Sequence, residues 1–394
     1  MSVVDILQGL KDHAAESEAN GGAVAHARLL EGIHQLRLAA ETPAEKLMRM
    51  RFEINGHLCV RLAIEYGLLQ AIAAMKGSNI TAAGLAQETG CDELLIIRIM
   101  RLVTYQGICK ETGYASYASN DTTEAITTKG FMGGEKHHTD LGFAVGSKLV
   151  EQKRKEGLHQ FPEGPGERSP FEYTFGMPLF EYLKHDQEQK EAFHDYMAAR
   201  RDPRAPQWFQ IYPAIEQLSD GLKADNDAAL VVDIGGGFGH ELSKFQQSFP
   251  NLLGKLILQD LQVTFDGLQT KPKGIQLMPY DFFTEQPVRG SRLYFFRNIM
   301  HDWSDKKCRA ILSNTVKAMD PKYSRILIDD YVLPDTGADL RAASMDVLMM
   351  IFASGMERTR HQWEELLGSV GLEIVKVWSH EAGVESVIEA KMRD

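Results

Sequence analysis

Apolar residues recur at helical spacing through residues 3–69, as at Leu47, Met50, Phe52, Ile54, Leu58, Val60, Leu62 and Ile64, and predict a helical opening. Gly21-Gly22 and Thr42-Pro43 interrupt the pattern and place helix ends there. Between residues 79 and 130 the pattern shortens: ITAAGLAQETG, CDELLIIRIMRLVTYQG and the alternating ICKETGYASYAS predict helix, turn, helix and β-hairpin, the outline of a winged helix. Residues 150–220 are mixed, a Gly/Pro-rich PEGPGERSP loop preceding an aromatic and Met-bearing helical stretch. After Asp225 seven short apolar runs alternate with helical patterns: LVVDIG, KLILQD, IQLMPYD, RLYFFRNI, RILIDDYVL, EIVKVW and VESVIEAKM. Such alternation predicts an α/β, doubly wound sheet of mostly parallel strands with right-handed crossovers. The SHEAG link between the last two runs is too short for a crossover helix, so that pair is predicted antiparallel at the sheet edge. The pattern thus divides a mostly helical part, residues 1–205, from an α/β part, residues 206–394.

With 394 residues, 44% hydrophobic and 25% charged, the chain is long enough for two cores of ordinary domain size. A net charge of −11 argues against a protein that wraps nucleic acid or docks on an anionic membrane. The second helix of the winged-helix segment agrees. Leu94, Leu95, Ile96, Ile97, Ile99, Met100, Leu102 and Val103 leave it little polar surface for base edges. A small-molecule partner is the expectation. Cys59, Cys91, Cys109 and Cys308 lie far apart without metal-ligand spacing, which suits a reducing compartment and no metal. The early acidic residues make the N-terminus a poor signal peptide, and no apolar run reaches the length of a membrane span, so a cytoplasmic location is expected.

The first strand of the α/β part runs into Gly235, Gly236, Gly237 and Gly239, and a helix follows. Glycines let the backbone turn sharply and approach a ligand, and the first strand of a doubly wound sheet aims its loop at the ligand crevice. The dinucleotide pattern GxGxxG is not met, because His240 and Leu242 stand where its third glycine would fall. A tight strand-to-helix turn needs glycine too, so the loop alone leaves a structural reading open. The next strand ends at Asp260, followed by Leu261, where a carboxylate can accept hydrogen bonds from both hydroxyls of an adenosyl ribose. The third ends near Asp281 and Phe282, placed to meet an adenine amino group and its face, or simply to cap a strand. The fourth leads into FFRNIMHDWSD. There His301 sits at the carboxyl end of the sheet, with a pKa suited to a general base. Asp329 and Asp330 end the next strand, and Glu357 lies beyond the following helix, so carboxylates can converge on the imidazole.

Taken together, VVDIGGGFG, LILQDL, PYDFF, the HDWSD box, ILIDDYVLP and SGMERTRHQWEELLGSVGL resemble the class I O-methyltransferases of the plant caffeate and flavonoid type, and more closely their fungal secondary-metabolism relatives. The resemblance extends over the whole chain. It implies a Rossmann-like seven-stranded sheet with an antiparallel last strand, a helical winged-helix dimerisation domain, and hence a homodimer. It implies S-adenosylmethionine as cofactor, S-adenosylhomocysteine as product and a small aromatic acceptor. His301 is then the general base and Asp330 and Glu357 are its flanking carboxylates, while Gly235, Gly236, Gly237, Asp260, Leu261, Asp281, Phe282 and Arg297 line the cofactor. Arg297 stands where plant members usually carry lysine, and Asp330 where they usually carry glutamate.

Some fungal relatives use the same scaffold for S-adenosylmethionine-dependent pericyclic reactions without methyl transfer. In that reading His137, His138, Arg200, Arg201 and Arg297 gain weight as groups that polarise a carbonyl. Otherwise His137-His138 reads as polar helix surface.

Overall fold

The computed structural model describes residues 3–20, 23–156, 168–199, 206–219, 221–223, 225–268, 270–379 and 385–393. The chain forms two compact units, Met1–Asp140 with Glu188–Arg200, and Leu141–Gln187 with Arg201–Asp394. Residues 141–187, which the sequence pattern groups with the helical part, thus cluster with the α/β part.

The first unit opens with helices Val3–Asn20, Ala23–Ala40 and Pro43–Glu65; of the two expected breaks, Gly21-Gly22 lies outside the described residues and Thr42-Pro43 is present. At the second break Thr42 accepts the Glu45 backbone N–H, and the Glu45 carboxylate accepts the Thr42 N–H, a reciprocal cap that starts the third helix behind Pro43. Strand β1 (Ile80–Thr81) precedes helices Ala82–Thr89 and Glu93–Tyr105 and the hairpin of β2 (Lys110–Gly113) and β3 (Ser116–Ala118). All three strands pair antiparallel in the order β1-β3-β2. The second of these helices buries Ile96, Ile99, Met100 and Val103 against Val60, Leu68 and Leu85, at the i, i+3, i+4, i+7 spacing of one apolar stripe.

The second unit is built on β4 (Ala229–Ile234), β5 (Lys255–Asp260), β6 (Ile275–Pro279), β7 (Leu293–Arg297), β8 (Arg325–Leu333), β9 (Arg358–Thr359), β10 (Leu372–Trp378) and β11 (Glu385–Met392). The strand order is β10-β11-β8-β7-β4-β5-β6, with β9 beside the end of β8. Strands β4 to β8 run parallel, and β11 is antiparallel to both its neighbours, as expected. Side chains alternate between two cores. Val232, Ile234, Tyr294, Phe296, Ile326 and Ile328 pack with Trp363, Leu366 and Ile311 on one face; Val231, Leu258, Leu293, Phe295 and Leu327 pack with Trp208, Phe209 and Phe245 on the other.

The run RILIDDYVL is β8 to the residue, so Asp329 and Asp330 lie inside the strand, which continues to Leu333, and do not end it. Antiparallel β11 supplies the reason, pairing Val387 with Asp329 and Ser386 with Asp330, and β9 pairs with Val332 and Leu333 beyond them. On the other side β7 stops at Arg297, opposite Asp329. Asp330 therefore stands just past the last rung of the parallel ladder, where ligand crevices of such sheets open.

Among the described residues no single helix is long and apolar enough to cross a membrane.

Candidate active site

The glycine loop is locked from below by its neighbour strand. Gly235 and Gly236 both donate backbone N–H groups to the Gln259 carbonyl (2.8 and 3.2 Å), and Gly237 N–H donates to the Asp260 carboxylate at 2.8 Å. Gly235 and Gly237 hold the left-handed φ of +73° and +60° that side chains resist. A side-chain carbon on Gly235 would lie 2.6 Å from Ile299 Cδ1 and 3.8 Å from Phe282 Cε1; one on Gly236 would strike Asp233 and Leu258 at 2.5 Å. The chain can pass here only as glycine.

Asp260 is oriented by three donors: Gly237 N–H, Leu261 N–H (2.7 Å) and the Thr264 hydroxyl (2.7 Å). Its carboxylate, the bare glycine loop, and the apolar faces of Ile299 and Phe282 against Gly235 fit an adenosyl group, one polar edge for the ribose and one apolar surface for the base. Leu261 itself is half exposed at the start of the next helix. Asp281 is exposed, and its side chain accepts the Phe283 N–H at 3.0 Å. Phe282 is half-buried and stands edge-on to Phe283 and Trp303, with ring centroids 5.1 and 6.0 Å away.

Beyond Arg297 the chain passes through Asn298 in a left-handed conformation, φ +51°, and winds a single 3-10 turn, Met300–Asp302. That turn carries His301, which is buried. Its Nδ1–H donates to Glu357 Oε1 at 2.8 Å, and its Nε2 lies 3.7 Å from Asp302 Oδ1. Asp330 is wholly buried, and among the described residues neither carboxyl oxygen has a hydrogen-bond partner. Burial works against the imidazolium, but the negative charges of Asp330 and Asp302 and the bond from Glu357 outweigh it, so the His301 pKa rises to about 10. Burial pushes the Asp330 carboxyl up to about 8, with His301 pulling the other way. The structure brings His301, Asp330 and Glu357 together as the sequence expectation has them.

Arg297 is engaged by carboxylates on two neighbouring elements. Its guanidinium pairs with Asp329 on β8 and, at 3.4 Å, with Glu241 in the first turn of the helix after the glycine loop. The guanidinium ties three elements together. His137 and His138 are not polar helix surface. They open a π-helical turn, His137–Gly142, in which His137 is buried beside Phe193 and Tyr196, and His138 Nε2 meets the Tyr196 hydroxyl at 3.0 Å. Burial and the neighbouring His138 hold His137 down to about 3, neutral at physiological pH. Arg200 and Arg201 lie outside the described residues.

Helix Leu340–Ala353 packs on the His301 turn and on β8, and it carries Phe352. Phe352 stacks 5.7 Å from Phe171, which continues to Phe175 (4.6 Å) and Tyr182 (5.7 Å). These rings form an aromatic wall next to the His301 segment. Trp208 belongs elsewhere, stacked on Phe295 (4.4 Å) and Phe245 (5.2 Å) in the opposite core.

Three residues that sequence reasoning passed over shape the His301 turn. Arg358, wholly buried, donates to the carbonyls of Met300 and Trp303 and to the Asp305 carboxylate, each at 2.9 Å, and so brackets His301 on both sides. A side-chain carbon on Gly355 would fall 1.9 Å from the His301 carbonyl oxygen. Asp346 accepts the Glu357 backbone N–H at 2.9 Å. The GMER spacing held a partial signal, since a glycine and an arginine flank Glu357; Asp346 gave none.

Residues 155–373 match the O-methyltransferase domain family. Over its whole length the chain is 31% identical to 98% of the methyltransferase cfoC of Aspergillus candidus. It is 30% identical to the demethylsterigmatocystin 6-O-methyltransferase of Aspergillus flavus, covering 98% of this chain and 97% of that one. Among solved structures it resembles OxaC in complex with SAH and oxaline, with a TM-score of 0.84, 28% identity and 99% of each chain covered. It also resembles a pericyclic reaction enzyme, with a TM-score of 0.85, 27% identity, 99% of this chain and 100% of that one.

Proposed function

The chain belongs to the S-adenosylmethionine-dependent O-methyltransferases, and from that premise we propose that it methylates a hydroxyl of a small aromatic secondary metabolite with His301 as general base. The observation that carries the base assignment is the buried 2.8 Å bond from His301 Nδ1–H to Glu357. It fixes the tautomer and leaves Nε2 as the nitrogen that takes a proton. Bound S-adenosylmethionine supplies a methyl group activated on a sulfonium. Asp260 and the glycine loop would hold the adenosyl end, and Phe282 and Ile299 offer apolar surface for its base. Arg297 steadies that region by pinning the helix behind the loop to β8.

Proton affinity supports the same reading. A phenol loses its proton near pH 10, so a base whose conjugate acid is held near 10 takes that proton at little thermodynamic cost. Glu357 and Asp330 stabilise the imidazolium that results. Phe175 and Tyr182, partly exposed and backed by the buried rings of Phe171 and Phe352, offer apolar surface to an aromatic acceptor.

The likeness to a pericyclic reaction enzyme supports a second reading, in which the acceptor is rearranged and no methyl leaves. The engagement of Arg297 with two carboxylates speaks against its polarising a carbonyl. Incubation of candidate acceptors with methyl-labelled cofactor, read by mass spectrometry, separates the two: gain of one labelled methyl supports methylation, and an isomer of unchanged mass supports the second reading. Within the first reading, His301→Ala keeps its affinity for S-adenosylhomocysteine by calorimetry and loses about 10²- to 10⁴-fold in single-turnover rate. Asp260→Ala shows the reverse order, weak binding first. Undiminished turnover in His301→Ala removes the base assignment.

A further inference from the structure

The segment that presents Glu357 to His301 is held at consecutive positions. Helix Leu340–Ala353 ends at Ser354, left-handed at φ +56°, and Gly355 then presses against the His301 carbonyl. Met356 N–H donates to that same carbonyl at 2.9 Å, and Glu357 N–H donates back across the end of the helix to Asp346 Oδ1, also at 2.9 Å. Glu357 is buried, so its N–H has no water to turn to. We propose that Asp346 is a positioning residue, which ties the helix bearing the aromatic wall to Glu357 and through Glu357 sets the orientation and proton affinity of the His301 imidazole.

The chain of contacts is continuous. Phe352 meets Phe171 on the wall, Asp346 lies on the same helix, and Asp346 holds the backbone of the residue whose carboxylate holds His301 Nδ1. Removing the Asp346 oxygen leaves a buried donor unpaired and lets the Glu357 backbone swing, and a carboxylate displaced by even half an ångström bonds the imidazole less well. The charge of Asp346 is not what the arrangement needs. It faces Glu357, and burial and that like charge both raise its pKa. What is used is an oxygen that accepts, which an asparagine also supplies. Around His301 the other charged groups are Asp330 on β8, Asp302 on its own turn, Glu357, and the Arg358 guanidinium, which bonds the Met300 and Trp303 carbonyls on either side.

The inference rests on His301 as the base, and its test keeps the two separable. In the full chain saturated with S-adenosylhomocysteine, the His301 ring nitrogens are followed by ¹⁵N NMR against pH and assigned by their loss in His301→Asn. Asp346→Ala is expected to lower the His301 midpoint by about one unit or more, as a weakened carboxylate bond does. Asp346→Asn holds it within about 0.3 unit, because the amide oxygen keeps the bond. With an acceptor in hand, Asp346→Ala lowers kcat about 10-fold or more, leaves KM for the cofactor unchanged, and is rescued by Asp346→Asn. An unchanged midpoint in Asp346→Ala, or equal shifts in both variants, overturns the inference. Turnover retained by His301→Asn overturns the base reading alone, since the NMR result does not depend on it. If Asp346→Ala does not fold, Asp346→Glu, which moves the carboxylate by one methylene, reads the same displacement.

Discussion

His301 and Asp330 both bind protons more tightly in the folded chain than their free side chains do, and this has consequences for rate and stability with opposite signs. A base must be unprotonated to act, so raising the His301 pKa from 6.5 to about 10 shifts the active form into alkaline solution. The kcat/KM of methyl transfer is therefore expected to climb from pH 6 to 9 with a log–log slope near one, rather than to level off near 7. A flat profile above pH 7 would contradict it. For stability, the raised pKa of His301 contributes below 6.5 and is lost as the pH rises towards 10; the Asp330 pKa, raised from 3.8 to about 8, disfavours the fold as the pH climbs through that interval. Asp330→Asn removes the second effect. At pH 9 it is expected to melt roughly 2–4 °C higher than the parent, about 1 kcal/mol, while its rate profile moves to lower pH because His301 loses a neighbouring charge. No gain in melting temperature at pH 9 would show that Asp330 is not held as an uncompensated buried carboxyl.

The turn that carries His301 is shaped less by its own residues than by the segment 354–358 laid against it. Arg358 satisfies two backbone carbonyls and one carboxylate from a wholly buried position, which no surface contact can replace. Arg358→Met leaves those groups unpaired and is expected to cost about 3–5 kcal/mol in urea unfolding; a loss under about 1 kcal/mol would mean that the turn holds its own shape. The legibility of these elements in the sequence follows from where their constraints lie. The parallel strands are covered on both faces, so they read as unbroken apolar runs, and the glycine loop and HDWSD box sit at their ends within a few residues. The run RILIDDYVL gives the extent of β8, but not the pairing of Asp329 and Asp330 with β11, whose register no local pattern records. The partners of Arg297 lie 32 and 56 residues away, and Asp346, half-buried on a helix, looks like any surface carboxylate. His137 is buried beside Phe193 and Tyr196, which lie more than fifty residues along the chain, so no local pattern records its burial.

At the scale of the molecule, the first unit leaves unpaid the burial that its composition demands. Along helix Pro43–Glu65, Leu47, Met48, Met50, Phe52, Ile54 and Leu58 are between 43% and 60% exposed, and Leu30 and Ile33 on the preceding helix are at least half exposed. Apolar side chains clustered in water are costly at roughly 25 cal/mol per Å², and soluble chains seldom display such patches without a partner. A second copy of the same helix is the occupant that needs no further component, and twofold pairing buries the same face on both chains. We therefore expect light scattering at micromolar concentration to give twice the 44.1 kDa of the chain. Phe52→Glu combined with Met48→Lys should yield the single-chain mass with the helical circular dichroism intact, because both side chains already face outward and contribute little to the fold of one chain. A parent protein that scatters as one chain at that concentration would assign the apolar face to a different partner, and an undisturbed dimer in the double variant would move the interface off this helix.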